Sequence, residues 1–282
     1  MNMLPERIMQ MLRTFTLPRQ RLRSDPRRIA VAIPTHNRAD RVLQVVQRML
    51  PDPRIGEIVV RDDASDTANF DKMAAGLGRL GPRVRLFRNA SNLGAFGNKL
   101  AVVGDCRLDW ALLLDSDNQF GPDYLDRFYA LATWSERVIY CPQRARPRFD
   151  FSFLAGTTMD LKAAPALFTP AWKDPMCVFL NTGNYIVPVK PYVAGLTPYA
   201  SRNVGGADVF FANLVWLQGG GLLHVVPGME YDHDVHEGSW FKETAAQSKP
   251  LVRQMQAALE SGNPSAVSAL LATMGHESAI HE

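Results

Sequence analysis

A chain of 282 residues, 46% apolar and 21% charged, is long enough to bury a substantial core and too apolar for extensive disorder. Its formal net charge of +3 is too small to argue for nucleic acid as a partner, and its arginines crowd the N-terminus rather than forming a stripe interleaved with aromatics. The three cysteines, Cys106, Cys141 and Cys177, form no CxxC pair and cannot all pair with one another, which argues against a zinc site or a disulfide framework and for a reducing compartment.

Residues 1–28 lack the continuous apolar core of a secretory signal, are rich in arginine and carry Ile8, Met9, Met11, Leu12 and Phe15. They read as a basic extension, either solvated or laid as an amphipathic helix on anionic lipid. Apolar runs such as Trp110 to Leu114 fall far short of the ~20 residues that span a bilayer. The expected location is cytoplasmic, with peripheral contact at the inner face of a membrane only if the extension lies on lipid.

From Ile29 the pattern changes. Ile29 to Ile33 is a buried strand halted by Pro34, and Asp40 to Leu50 places Val42, Val45, Val46 and Met49 at helical spacing. Ile55 to Val60 is a second strand, ending in Arg61-Asp62-Asp63; a helix follows over Phe70 to Leu80, then a third strand, Val84 to Phe87, ending in Arg88-Asn89. Ala95 to Cys106 reads as a helix, and Trp110 to Leu114 as a fourth strand running into Asp115. Strands alternating with helices predict an α/β fold with a mostly parallel sheet, whose ligands collect beyond the carboxyl ends of the strands. The second half is Pro-rich over residues 142–198, then predicts a strand from Tyr185 to Val189, a helix from Asp208 to Gln218, a strand from Leu222 to Pro227 and a His/acid cluster at 230–237. Leu251 to Met274 reads as helix interrupted by Gly262-Asn263-Pro264, packing on the core or docking a partner. This divides the chain into an extension (1–28), a main domain (29–243, with halves 29–120 and 121–243) and a C-terminal helical tail (244–282).

Asp115 and Asp117 stand two apart at a strand end, where a turn can aim both carboxylates at one point. Mg²⁺ or Mn²⁺ takes one or two protein carboxylates and fills its other sites with phosphate oxygens and water. The same residues also read as an ordinary turn or helix cap. The stretch Asn92-Leu93-Gly94-Ala95-Phe96-Gly97-Asn98-Lys99 opens a helix, so its N–H groups can face a diphosphate and Lys99 can add charge; simple turn chemistry is the alternative.

Four motifs occur in order: Val31-Ala32-Ile33-Pro34-Thr35-His36-Asn37-Arg38, Ile58-Val59-Val60-Arg61-Asp62-Asp63-Ala64-Ser65-Asp66, Asn92-Leu93-Gly94, and Leu112-Leu113-Leu114-Asp115-Ser116-Asp117. Together they resemble family 2 glycosyltransferases of the GT-A fold, strongly over 29–120 and more thinly to about residue 243. The resemblance implies a Rossmann-like sheet flanked by helices, a UDP- or dTDP-sugar donor, a hydroxyl acceptor such as a glycan, and inverting transfer. It places Pro34, Thr35, Asn37, Arg38 and Asp63 on the nucleoside, where a carboxylate can accept from the N3–H that uracil and thymine share. It favours Asn92 and Gly94 more than Lys99 at the diphosphate, and gives Asp115 a ribose or water-mediated contact. It also makes Asp117, with Asp115, the metal ligand and Asp208 the general base, within Gly205-Gly206-Ala207-Asp208; Ala207 departs from the usual Glu. A further metal ligand is expected from His233, with His236 as second choice. Asn181, Thr182, Gly183 and Asn184 fall where the acceptor subsite forms, and Trp240 and Trp172 are candidates to stack on a sugar face. The rival readings are a sugar-phosphate nucleotidyltransferase, which would carry a Gly-rich basic loop where Pro34-Thr35-His36-Asn37 stands, and a nucleotide-sugar-binding module without catalysis. The oligomeric state is left open, a homo-oligomer included.

Overall fold

The computed structural model describes residues 27–163, 179–234 and 244–274, apart from 119, 122 and 148. Trp172, His236, Trp240 and the extension up to residue 26 lie outside the described residues.

Strand β1 (Ile29–Thr35) is apolar on both faces, as a strand covered by helices on both sides must be. Helix α1 (Ala39–Met49) buries Val42, Val45, Val46 and Met49, the i, i+3, i+4, i+7 stripe of an amphipathic helix. There follow β2 (Ile55–Asp62), α2 (Thr67–Leu77), β3 (Val84–Arg88), α3 (Gly94–Gly104) and β4 (Trp110–Leu113). Helix α2 starts three residues before the expected Phe70 because the Asp66 side chain accepts the Asn69 N–H and caps the first turn.

The second half contains α4 (Asp123–Tyr129), β5 (Val138–Arg146), β6 (Phe149–Asp150), β7 (Thr158–Met159), β8 (Ile186–Pro188), α5 (Val189–Leu196), α6 (Asp208–Gln218), β9 (Leu222–Asp232), α7 (Ala245–Glu260) and α8 (Pro264–Thr273). Strand β5 was not expected, because Pro142 interrupts its pattern. It is accommodated at a register shift between Pro142 and Arg144, where the ladder to β9 is broken anyway.

The described strands form one sheet in the order β3-β2-β1-β4-β8-β5-β9-β7, with β6 beside β5. Strands β1, β2, β3 and β4 are mutually parallel; β8 is antiparallel to both β4 and β5, which therefore run the same way, and β9 is parallel to β5. The six longer strands thus share one direction. Their carboxyl ends carry Thr35, Asp62, Arg88, Asp115 and His233 to a common edge. Away from that edge, an aromatic cluster of Trp110, Phe128, Trp134 and Tyr140 fills the core, with the Phe128 and Trp134 rings stacked at 4.1 Å. The C-terminal pair α7 and α8 packs inward, burying Val252, Met255, Leu259, Val267, Leu271 and Met274.

Candidate functional site

Beyond the carboxyl ends of the strands lies an open cleft of about 750 Å³. Its first wall is a pair of interlocked loops. Asn37 follows β1 at a φ of 52°, a left-handed conformation that Asn tolerates better than most residues. Its N–H donates to Ser65 Oγ (2.7 Å), its amide oxygen accepts the Asp66 N–H (2.9 Å), and His36 Nδ1 lies 2.9 Å from the Asp63 carbonyl. The adjacent carboxylates divide their work. Asp62 is fully buried and takes the Ser65 N–H (3.1 Å), the Ser65 hydroxyl and the Arg88 guanidinium (3.4 Å), so it builds the loop. Asp63 lines the cleft, its Oδ1 accepting from Asn89 Nδ2 and the Leu93 N–H at 2.7 Å each.

The second wall is the start of α3. Asn92 Oδ1 accepts the Gly94 N–H (2.8 Å), and Gly94 takes a φ of 73° with open space where a Cβ would stand, so conformation rather than room demands glycine. Gly94, Ala95, Asn98 and Lys99 present the positive end of this helix to the cleft.

The floor carries the charges. After β4 the chain turns, with the Asn118 N–H on the Asp115 carbonyl (3.1 Å) and the Asp115 N–H on Asn184 Oδ1 (2.9 Å). Lys99 Nζ lies 2.9 Å from Asp115 Oδ1 and 2.8 Å from Asp208 Oδ2, and Arg38 Nη1 lies 2.5 Å from Asp117 Oδ2. Burial disfavours the Lys99 ammonium, but Asp115 and Asp208 outweigh it and raise its pKa above the ordinary lysine value. Burial likewise works against the Asp115 anion, while Lys99, then His233 and Arg38, hold its pKa below the usual carboxylate value. Burial lowers the His233 pKa below the ordinary histidine value in spite of Asp115 and Asp117. Asp208 begins α6, whose first turn is capped from outside: Asn181 Oδ1 accepts the Phe210 N–H (3.3 Å). Among the described residues no three His, Cys, Asp or Glu side chains gather closely enough to hold a metal by themselves.

The sequence model described as Glycosyl transferase family 2 matches residues 30–181, more than half of the chain. The chain belongs to glycosyl transferase family 2. A curated relative, the succinoglycan biosynthesis protein ExoO of Rhizobium meliloti (strain 1021), is 27% identical over 224 residues, which are 75% of this chain and 62% of that protein. The chain thus spans somewhat under two thirds of that relative's length. Among solved structures, the mannosyltransferase PcManGT from Pyrobaculum calidifontis, in complex with GDP-Man and Mn²⁺, superposes with a TM-score of 0.57 at 15% identity, covering 94% of this chain and 74% of that one. Residues 1–349 of S. aureus TarS, in complex with UDP-GlcNAc, superpose at 0.56 and 14% identity, covering 87% and 70%. Both share the GT-A fold with this chain.

The expected site residues of this chain largely converge. Pro34, Thr35, Asn37, Arg38, Asp63, Asn92, Gly94, Lys99, Asp115, Asp117, Asn181, Thr182, Gly183, Asp208 and His233 all line the cleft. Asn184 does not: it is buried behind Asp115, at a φ of 57°, and braces that residue's N–H instead of facing an acceptor. Lys99 reaches the cleft as expected, but its ammonium is spent on Asp115 and Asp208. His236 and Trp240 lie outside the described residues. Sequence reasoning missed Arg41, Asn69 and Phe149, and took only histidines from the 230–237 cluster, giving Tyr231 and Asp234 no role. Arg41 was findable, one helical turn after Arg38; it pairs with Asp234 at 2.6 Å and ties α1 to the end of β9. Phe149 carried no signal, since its two-residue strand has no readable period.

Proposed function

We propose that this glycosyltransferase is metal-dependent and inverting, moving a sugar from a nucleotide diphosphate donor to a hydroxyl of a glycan. The observation that carries this reading is the convergence of three elements on one point: Asp115 after β4, Asp208 at the start of α6, and Lys99 from α3 within 3 Å of both. The loops around Asn37 and Asp63 form a wall suited to the nucleoside, with UDP or dTDP favoured by the carboxylate at Asp63. The open N-terminus of α3, with Arg38 and Arg41 opposite, suits the diphosphate.

Asp117, Asp115 and His233 are donors of the kind that Mn²⁺ or Mg²⁺ takes, one or two of them at a time, with the remaining positions left to phosphate oxygens and water. Both carboxylates already face the protein's own cations, Arg38 and Lys99, which fits a metal shared with the donor better than one the protein holds alone. Such an ion supplies charge neutralisation at the leaving diphosphate. Asp208 takes the proton of the acceptor hydroxyl as that oxygen attacks the anomeric carbon on the face opposite the diphosphate, which inverts the centre. Thr182 and Gly183 line the same cleft, Gly183 next to Asp115 Oδ2, and suit the acceptor. The glycan acceptor is supported by the relative named for succinoglycan biosynthesis, and the metal by the Mn²⁺ complex of the mannosyltransferase.

The test is Asp208→Asn. It keeps shape and removes basicity, so nucleoside diphosphate binding measured by calorimetry is retained while sugar transfer falls by roughly two or more orders of magnitude. Transfer at the wild-type rate in this variant refutes the assignment of the base.

A further inference from the structure

The turn that launches Asp208 into the cleft is held from outside. Gly205–Ala207 is a single 3-10 turn leading directly into α6. The Gly206 N–H donates to Ser248 Oγ (2.8 Å), and that hydroxyl in turn donates to the Thr244 carbonyl (2.8 Å). With its proton committed to Thr244, the Ser248 oxygen has a fixed lone-pair direction for Gly206. Ser248 is fully buried. The contact is also steric: Gly205 takes a φ of 54°, and a Cβ there would stand 2.7 Å from Ser248 Oγ and 3.3 Å from Thr244 Cβ. The two glycines before the acid are therefore the imprint of α7. Gly205 lets the backbone bend against the helix, and the Gly206 N–H donates to its serine hydroxyl oxygen.

We propose that Ser248 is a positioning residue for catalysis: by fixing Gly206 it sets where the Asp208 carboxylate stands relative to Lys99 and the acceptor side of the cleft. Helix α7 lies beyond the family match at residues 30–181, so on this view the C-terminal helices belong to the working enzyme. The inference rests on Asp208 being the base. A carboxylate misplaced by a fraction of an ångström loses rate while the nucleoside, bound between the Asn37 and Asp63 loops, is held as before.

The experiment uses the full chain and follows nucleoside diphosphate release from whichever UDP-, dTDP- or GDP-sugar the wild type hydrolyses, with water as acceptor. Ser248→Ala is expected to lower kcat on the order of 10- to 100-fold while donor KM and nucleotide Kd stay within about two-fold. The double variant Asp208→Asn/Ser248→Ala is expected to be no slower than Asp208→Asn alone, because Ser248 acts through that carboxylate. Amide hydrogen exchange is expected to speed up at residues 206–208 and not across the sheet. Unchanged kcat in Ser248→Ala overturns the proposal, and so does a rate loss accompanied by weakened nucleotide binding and exchange throughout the core. Additive losses in the double variant overturn it too. If Asp208→Asn keeps full transfer, the reading of the base falls first; if that variant is inactive and Ser248→Ala is unaffected, only the brace falls.

Discussion

Lys99 stands between two carboxylates, 2.9 Å from Asp115 and 2.8 Å from Asp208, with little access to solvent. Its removal leaves the buried Asp208 and the part-buried Asp115 carboxylates on the same small volume, and breaking a buried ion pair from one side costs up to about 3 kcal/mol. Lys99→Met is therefore expected to be destabilised by about that amount in urea unfolding at neutral pH. The loss has a defined pH dependence. In the wild type the pKa of Asp115 is lowered, so its contribution to stability is present above the ordinary carboxylate pKa and disappears as pH falls through the lowered value. In Lys99→Met that contribution is already gone, and protonation relieves the remaining repulsion. The two unfolding curves therefore approach each other in acid, and a gap that stays constant with pH contradicts the ion-pair account. The sequence showed Lys99 at a helix start, which suggested a phosphate contact; the ion pairs depend on α6 and were invisible from the local pattern.

Among the elements, β9 shows what length does for a site. The expected strand stopped at Pro227, whereas the observed one continues to Asp232. It crosses the proline at an irregularity in the ladder with β5, and Gly228 takes a φ of 74° there. The continuation is what delivers Tyr231 and His233 to the cleft. Mid-strand, His224 is buried with its Nδ1 2.8 Å from Thr158 Oγ1, and burial pushes its pKa down to about 4 from the ordinary 6.5. Between those values the unfolded chain binds a proton that the folded chain refuses, so stability rises with pH across that window, by about 1.4 kcal/mol per unit for one group. His224→Leu is expected to remove that much slope from unfolding free energies measured between pH 6.5 and 4, and an unchanged slope would show that His224 does not carry it. The helices were easier to read than this strand. The α1 stripe and the Gly262-Asn263-Pro264 break between α7 and α8 were legible because periodicity and proline act locally, whereas β5 and the end of β9 exist through pairing with each other.

For the molecule as a whole, six strands running one way bring polar loops from distant parts of the chain to one edge, and the cleft belongs to none of them singly. No helix among the described residues is long and apolar enough to cross a membrane. Since Arg38 and Lys99 occupy the carboxylates, Mn²⁺ alone is expected to shift the thermal midpoint little, UDP or dTDP alone modestly, and the two together by more than the sum, with EDTA reversing the excess. A full shift with metal alone would show instead a site preformed by the protein. The fold class, the family and most cleft residues were determined by sequence alone, because buried strands, amphipathic stripes and strand-end motifs are written in neighbouring residues. Tertiary structure alone decided which of those groups meet. It placed Lys99 against Asp208, turned Asn184 from an expected acceptor contact into the brace of Asp115, and set Ser248 beneath Gly206. Each of these depends on backbones 40 or more residues apart approaching within hydrogen-bond distance, and no local pattern records that approach.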